Sequence, residues 1–134
     1  MENRVVAHFL SGRVLKGSSF DISPSRPVCH LATRDQGTVA VKLGDLKALF
    51  FVKDLQRDPE HHDEQVPASG DPRARGARWL KIRLQGGERL IGLAPVYDET
   101  RLFFFVMPVD TNGNNIRVLV TRAASASIEI RPPP

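Results

Sequence analysis

The chain has 134 residues, a formal net charge of +4 at pH 7 and a single cysteine, with 41% hydrophobic and 25% charged residues. That length fits one domain or two very small ones and can bury a core. Cys29 alone excludes an internal disulfide and fits a reducing compartment. The mild charge permits an acidic partner without demanding nucleic acid.

The chain starts with "MENRVVAHF", which has no signal-peptide core, and no apolar run approaches the length of a membrane span, so the expected location is the cytoplasm. "VVAHFLSGRVLKG" begins with an apolar run, turns at Ser11-Gly12 and resumes through Val14 and Leu15. "VAVKLGDLKALFF", from Val39 to Phe51, reads as a strand, a short polar break and a second strand. There follows "DLQRDPEHHDEQVPASGDPRARGAR", with Pro59, Pro67 and Pro72 and almost no large apolar side chains. Such a stretch buries too little surface to hold a fold and reads as a linker. Its charge is segregated, with Asp54, Asp58, Glu60, Asp63 and Glu64 ahead of Arg73, Arg75 and Arg78.

"LKIRLQGGERLIG" alternates Leu80, Ile82 and Leu84 with Lys81, Arg83 and Gln85, which predicts a half-buried strand, and Gly86-Gly87 predicts a hairpin. "VLVTRAASASIEI", from Val118 to Ile130, repeats the strand, break, strand pattern, and "RPPP" ends the chain as a predicted disordered tail. Nothing long carries a helical period, so the fold class is all-β. Gly12 and Gly17 align with Gly87 and Gly92, which predicts an internal duplication of two units of about fifty residues. The boundaries are 1–55 for a first small β-barrel, 56–77 for the linker, 78–131 for a second barrel and 132–134 for the tail.

The second unit resembles the Sm-like (SH3-like) barrel found in RNA-binding rings. The first motif of that family has two glycines, an aromatic-Asp pair and then Met-Asn, and Gly87, Gly92 and Tyr97-Asp98 stand in the matching places. The second motif ends an apolar strand in Arg-Gly, where this chain has Arg122-Ala123. The departures fall on the RNA-reading positions: Arg101-Leu102 replaces Met-Asn, and Ala123 replaces the motif glycine. In the first unit Leu43-Gly44 keeps the glycine and loses the arginine, and Phe20-Asp21 follows Gly17 two residues early. The resemblance implies two duplicated small barrels packed together. The wider pattern resembles bacterial signalling-associated proteins of uncharacterised function. That likeness implies an adaptor or regulator whose client is a response regulator or a small regulatory GTPase of motility or polarity.

Candidate chemistry is sparse. Cys29 and His30 are neighbours that a strand points to opposite faces, so they cannot form a nucleophile and base pair. His61-His62-Asp63-Glu64 has metal-ligand residue types but sits in the proline-flanked linker. Asp110 to Asn115, "DTNGNN", starts like a calcium loop, lacks the glycine at its sixth position and reads as a strand-connecting turn. No phosphate loop, nucleophile elbow or paired carboxylate set is present, which argues against an enzyme; no cofactor and no metal are expected. Arg73, Arg75, Arg78 and Arg89, with Lys81 and Arg83, form the strongest basic cluster. It offers an anion or nucleic-acid contact as the alternative to a protein partner.

"LFFV" and "LFFFVM" pose the remaining question, since consecutive phenylalanines cannot all enter one core. Leu49 and Phe51 share strand parity with Lys47 and Lys53, and Phe103 and Phe105 share it with Arg101, which predicts an outward face for all four. Phe50 and Phe104 are then predicted to face the cores. The outer face is covered either by the other barrel or by a partner protein. The predicted partner surface is Leu49, Phe51, Arg101, Phe103 and Phe105 with Lys81 and Arg83.

Overall fold

The computed structural model describes residues 2–53, 77–110 and 114–131. The predicted linker core and tail therefore lie outside the described residues, as do His61 to Glu64, Arg73 and Arg75. Among the described residues ten strands form one antiparallel sheet: β1 (Asn3–Phe9), β2 (Val14–Ser19), β3 (Val28–Ala32), β4 (Thr38–Lys42), β5 (Leu46–Val52), β6 (Arg78–Leu84), β7 (Arg89–Ala94), β8 (Phe103–Pro108), β9 (Asn115–Thr121) and β10 (Ser125–Arg131). Single turns of 3-10 helix at Leu43–Asp45 and Arg122–Ala124 lead into β5 and β10. Among the described residues no helix is long and apolar enough to cross a membrane.

The strand order is β10-β6-β7-β8-β9-β5-β1-β2-β3-β4. Each half thus runs fifth, first, second, third, fourth. The halves agree in detail. Val5 pairs with Gly17 on β2, and Leu80 pairs with Gly92 on β7. A Cβ on Gly17 would lie 2.6 Å from the Ala32 carbonyl oxygen, and one on Gly92 would lie 2.7 Å from that of Met107 and collide with Val106. Both glycines are therefore required where a bent strand presses onto its neighbour. The β1–β5 register shifts between His8 and Phe9, and the β10–β6 register shifts between Ser125 and Ser127. Each half has its bulge where its last strand meets its first.

The halves join edge to edge. On β5 and β9, Ala48 pairs with Val120, Leu49 with Leu119, Phe50 with Val118 and Phe51 with Arg117. Successive residues of these strands enter different cores. Leu49, Phe51 and Leu119 belong to a first core with Val5, Ala7 and Leu31, while Ala48, Val118 and Val120 belong to a second with Leu80, Ile82 and Phe104. Phe103 and Phe105 of β8 pack on the first core, and Phe50 packs on the second.

Among the described residues the sheet is open, with β4 and β10 at its edges, and the two predicted units are joined strand to strand within it. One expectation is corrected by this arrangement. Leu49 (0% exposed) and Phe51 (2%) are interior and not part of an outward face. Lys47 and Lys53 mark the ends of β5, where the chain reaches solvent, and not the covering of its middle. A strand apolar on both faces is stable here because each face has its own core.

Candidate functional site

The described surface has a shallow groove of about 420 Å³ between the β2–β3 loop and the entry to β8, lined by residues 24–27 and by Arg101, Leu102 and Phe103. One wall comes from each half of the chain. Leu102 is 66% exposed, while Phe103 is half-buried on the first core.

Both walls are held by local bonds. In the first, Ser23 and Ser25 hydroxyls lie 2.9 Å apart, Arg26 N–H donates to the Ser23 carbonyl and Leu43 N–H to the Pro27 carbonyl. In the second, Arg122 is the strut. Its Nε donates to the Arg101 carbonyl at 2.8 Å, one terminal nitrogen to the Tyr97 hydroxyl at 3.2 Å and the other to the Asp98 carbonyl at 3.0 Å. Its guanidinium carbon stands 5.2 Å from the Tyr97 ring centroid and 5.0 Å from that of Phe104. Asp98 Oδ1 accepts from Thr100 N–H and hydroxyl, and these bonds hold its carboxyl below the usual range.

Residues of the same strand face lead to a second groove, of about 330 Å³, lined among others by Arg4, Phe51, Lys53, Ile116 and Arg117. Phe105 shares a β8 face with Phe103. It meets the Phe51 ring edge-on at 5.7 Å, and the Arg117 guanidinium lies over both rings, 4.3 and 4.5 Å from their centroids. The two grooves are thus linked by Phe103, Phe105 and Arg117 along the β5–β9 joint.

Of the predicted surface, Arg101, Phe103 and Phe105 come together here. Lys81 and Arg83 do not: they lie on β6, with β7 between them and β8, opposite Glu129 and Ser127 of β10. Arg78 and Arg89 sit at opposite ends of the β6–β7 hairpin: Arg89 lies directly opposite Arg83, two residues from Lys81 on β6, while Arg78, opposite Ala94, stands apart from them. Arg26, Leu102 and Arg117 were not singled out by sequence reasoning as one surface. Arg117, a lone arginine in the apolar run "NIRVLV", was the available signal.

Cys29 and His30 do face opposite ways. Cys29 is buried, and burial, with Asp21 nearby, pushes its thiol up to about 11. His30 is on the surface, its Nδ1 2.7 Å from Asp21 Oδ2 and its backbone N–H donating to Oδ1 at 2.9 Å. With the Ser19 hydroxyl also donating, these bonds hold Asp21 at about 2. Among the described residues no three His, Cys, Asp or Glu side chains gather as a metal site. Asp110, from the predicted turn, is buried, and 111–113 lie outside the described residues.

A family model described as a family of unknown function (DUF6982) matches residues 1–131. The chain belongs to this family. The match runs through both halves of the sheet and the joint between them. No curated protein and no solved structure matches the chain.

Proposed function

We propose that this DUF6982 chain is a non-catalytic binding module, an adaptor or regulator that engages another protein along the β5–β9 joint. The observation that carries the reading is the groove built by both halves, with exposed Leu102 and half-buried Phe103 between Arg26 and Arg101. Aromatic and aliphatic anchors beside arginine are the make-up of interface hot spots. The repeated strand order, the paired glycines and the matching bulges support an internal duplication of an Sm-like unit. Arg122 supports a use other than RNA reading, because its guanidinium is spent on Tyr97, Asp98 and Arg101 inside the chain. A cytoplasmic signalling client, such as a response regulator or small regulatory GTPase, follows from the resemblance alone.

The test is a photo-crosslinking amino acid placed at Leu102 in the native cell. The expected adduct contains protein, survives nuclease and disappears when Arg101→Glu is added. An adduct that nuclease removes overturns the reading in favour of nucleic acid.

A further inference from the structure

The partner segment's chemistry can be read from the same surface, and this step rests on the protein-binding reading above. The two grooves contribute Arg26 and Arg101 at one end and Arg4, Lys53 and Arg117 at the other, against one acidic residue, Glu2. Among the described residues no salt bridge engages Arg26, Arg101 or Arg117. Arg117 is held by ring contacts and not by a carboxylate, so its N–H groups are positioned at little entropic cost and keep their capacity for a planar anion. The same grooves carry apolar lining, Pro24, Pro27, Leu102 and Phe103 in the first and Ile116 in the second, with half-buried Phe105 under the Arg117 guanidinium. Ile116 is 54% exposed, so the second end also has an apolar foothold.

We propose that the joint binds an extended segment of a partner protein in which Asp or Glu residues flank one or two large apolar side chains. The apolar anchor sits against Leu102 and Phe103, and the flanking carboxylates meet Arg101 and Arg26 on one side and Arg117 on the other. A polyanion alone would leave the apolar floor uncovered, and an apolar peptide alone would leave the arginines unused. A carboxylate gains a two-pronged hydrogen bond from a guanidinium that a lysine cannot reproduce.

The experiment selects short random peptides displayed on phage against the full chain, with removal of those that also bind the Leu102→Asp variant. Selected peptides are then measured by fluorescence anisotropy. The expected result is enrichment of Asp or Glu beside Phe, Leu, Ile or Trp, and a loss of about tenfold in affinity on Leu102→Asp or Arg117→Lys. Leu102 is mostly exposed, so that variant should keep the melting temperature of the parent. The inference is overturned if selected peptides are basic or uncharged, if the selection is empty, if poly-aspartate competes as well as the peptide, or if oligouridylate does. The outcomes separate the two claims. A nuclease-resistant adduct at Leu102 with no acidic preference in the peptides removes this inference and leaves the protein-binding reading standing.

Discussion

The joint between β5 and β9 and the free edges at β4 and β10 occupy equivalent places in the two halves, and their side chains differ. Phe105 of β8 faces Leu119 on the joint strand β9, where the first half has His30 of β3 facing Ala40 on the edge strand β4. Phe50 on β5 pairs with Val6 of β1, where the second half pairs Glu129 with Lys81. The backbone plan is the same in both places. The joint is apolar on both strand faces apart from its Arg117 end, while the edges mix apolar residues such as Ile130 with charge, small residues and an exposed Lys42. Charged edge residues are a common means of refusing a further strand. One pairing is thus selected within the chain, and its repetition at the ends is discouraged.

The largest effect is expected where the halves share a core. Phe104 is 2% exposed and packs edge-on against Tyr97 at 5.6 Å. Phe104→Ala should cost about 3–5 kcal/mol in urea unfolding, and it should loosen the groove wall as well. A cost near zero would show that the second core is not the body holding β8.

Next is the joint itself. Leu119→Ala should cost about 2–4 kcal/mol, because Leu119 is 2% exposed and belongs to the first core although it lies in the second half. Ala40→Gly, at the matching place on the free edge, should cost about 1 kcal/mol or less. Equal costs would erase the distinction between joint and edge. The converse change sharpens it. Combining Glu129→Phe with Ala40→Leu and His30→Phe gives the edges the joint's character and should shift the chain to head-to-tail oligomers in light scattering, while the parent remains smaller. An unchanged mass would mean that backbone geometry, not side chains, keeps the edges apart.

The smallest effect concerns the first half's outer loop. Asp21 has an ordinary value of 3.8 and is held at about 2, chiefly by the His30 backbone N–H and then by the His30 ring. A carboxyl held low stabilises the fold fully above 3.8, and that contribution is lost as pH falls from 3.8 towards 2. Asp21→Asn should therefore lower the melting temperature by a small amount at pH 5, and the difference should close as pH approaches 2. A difference that grows on acidification would mean that Asp21 is not held by these bonds.

Much of the strand plan was readable in residues 1–53 and 78–131. Leu80, Ile82 and Leu84 alternate with charged partners and are buried in that pattern. Gly12 and Gly87 open their hairpins with φ of 92° and 95°, as their neighbours in sequence suggest. The groove was half readable. Arg101 and Phe103 stand in one local stretch, but Pro24 and Arg26 join them only because the β5–β9 pairing sets the two halves side by side.

Alternation along a strand is a local property, written in each short stretch, so the all-β class and the hairpin positions follow from the residues alone. The covering of Leu49 and Phe51 is different. A strand apolar on both faces fits a partner's surface or a second core equally well, and nearby residues do not distinguish them. That choice was made by β5 pairing with β9, strands far apart in the chain, whose association places one face of each in each core and leaves the arginine-rimmed grooves at the ends of their joint.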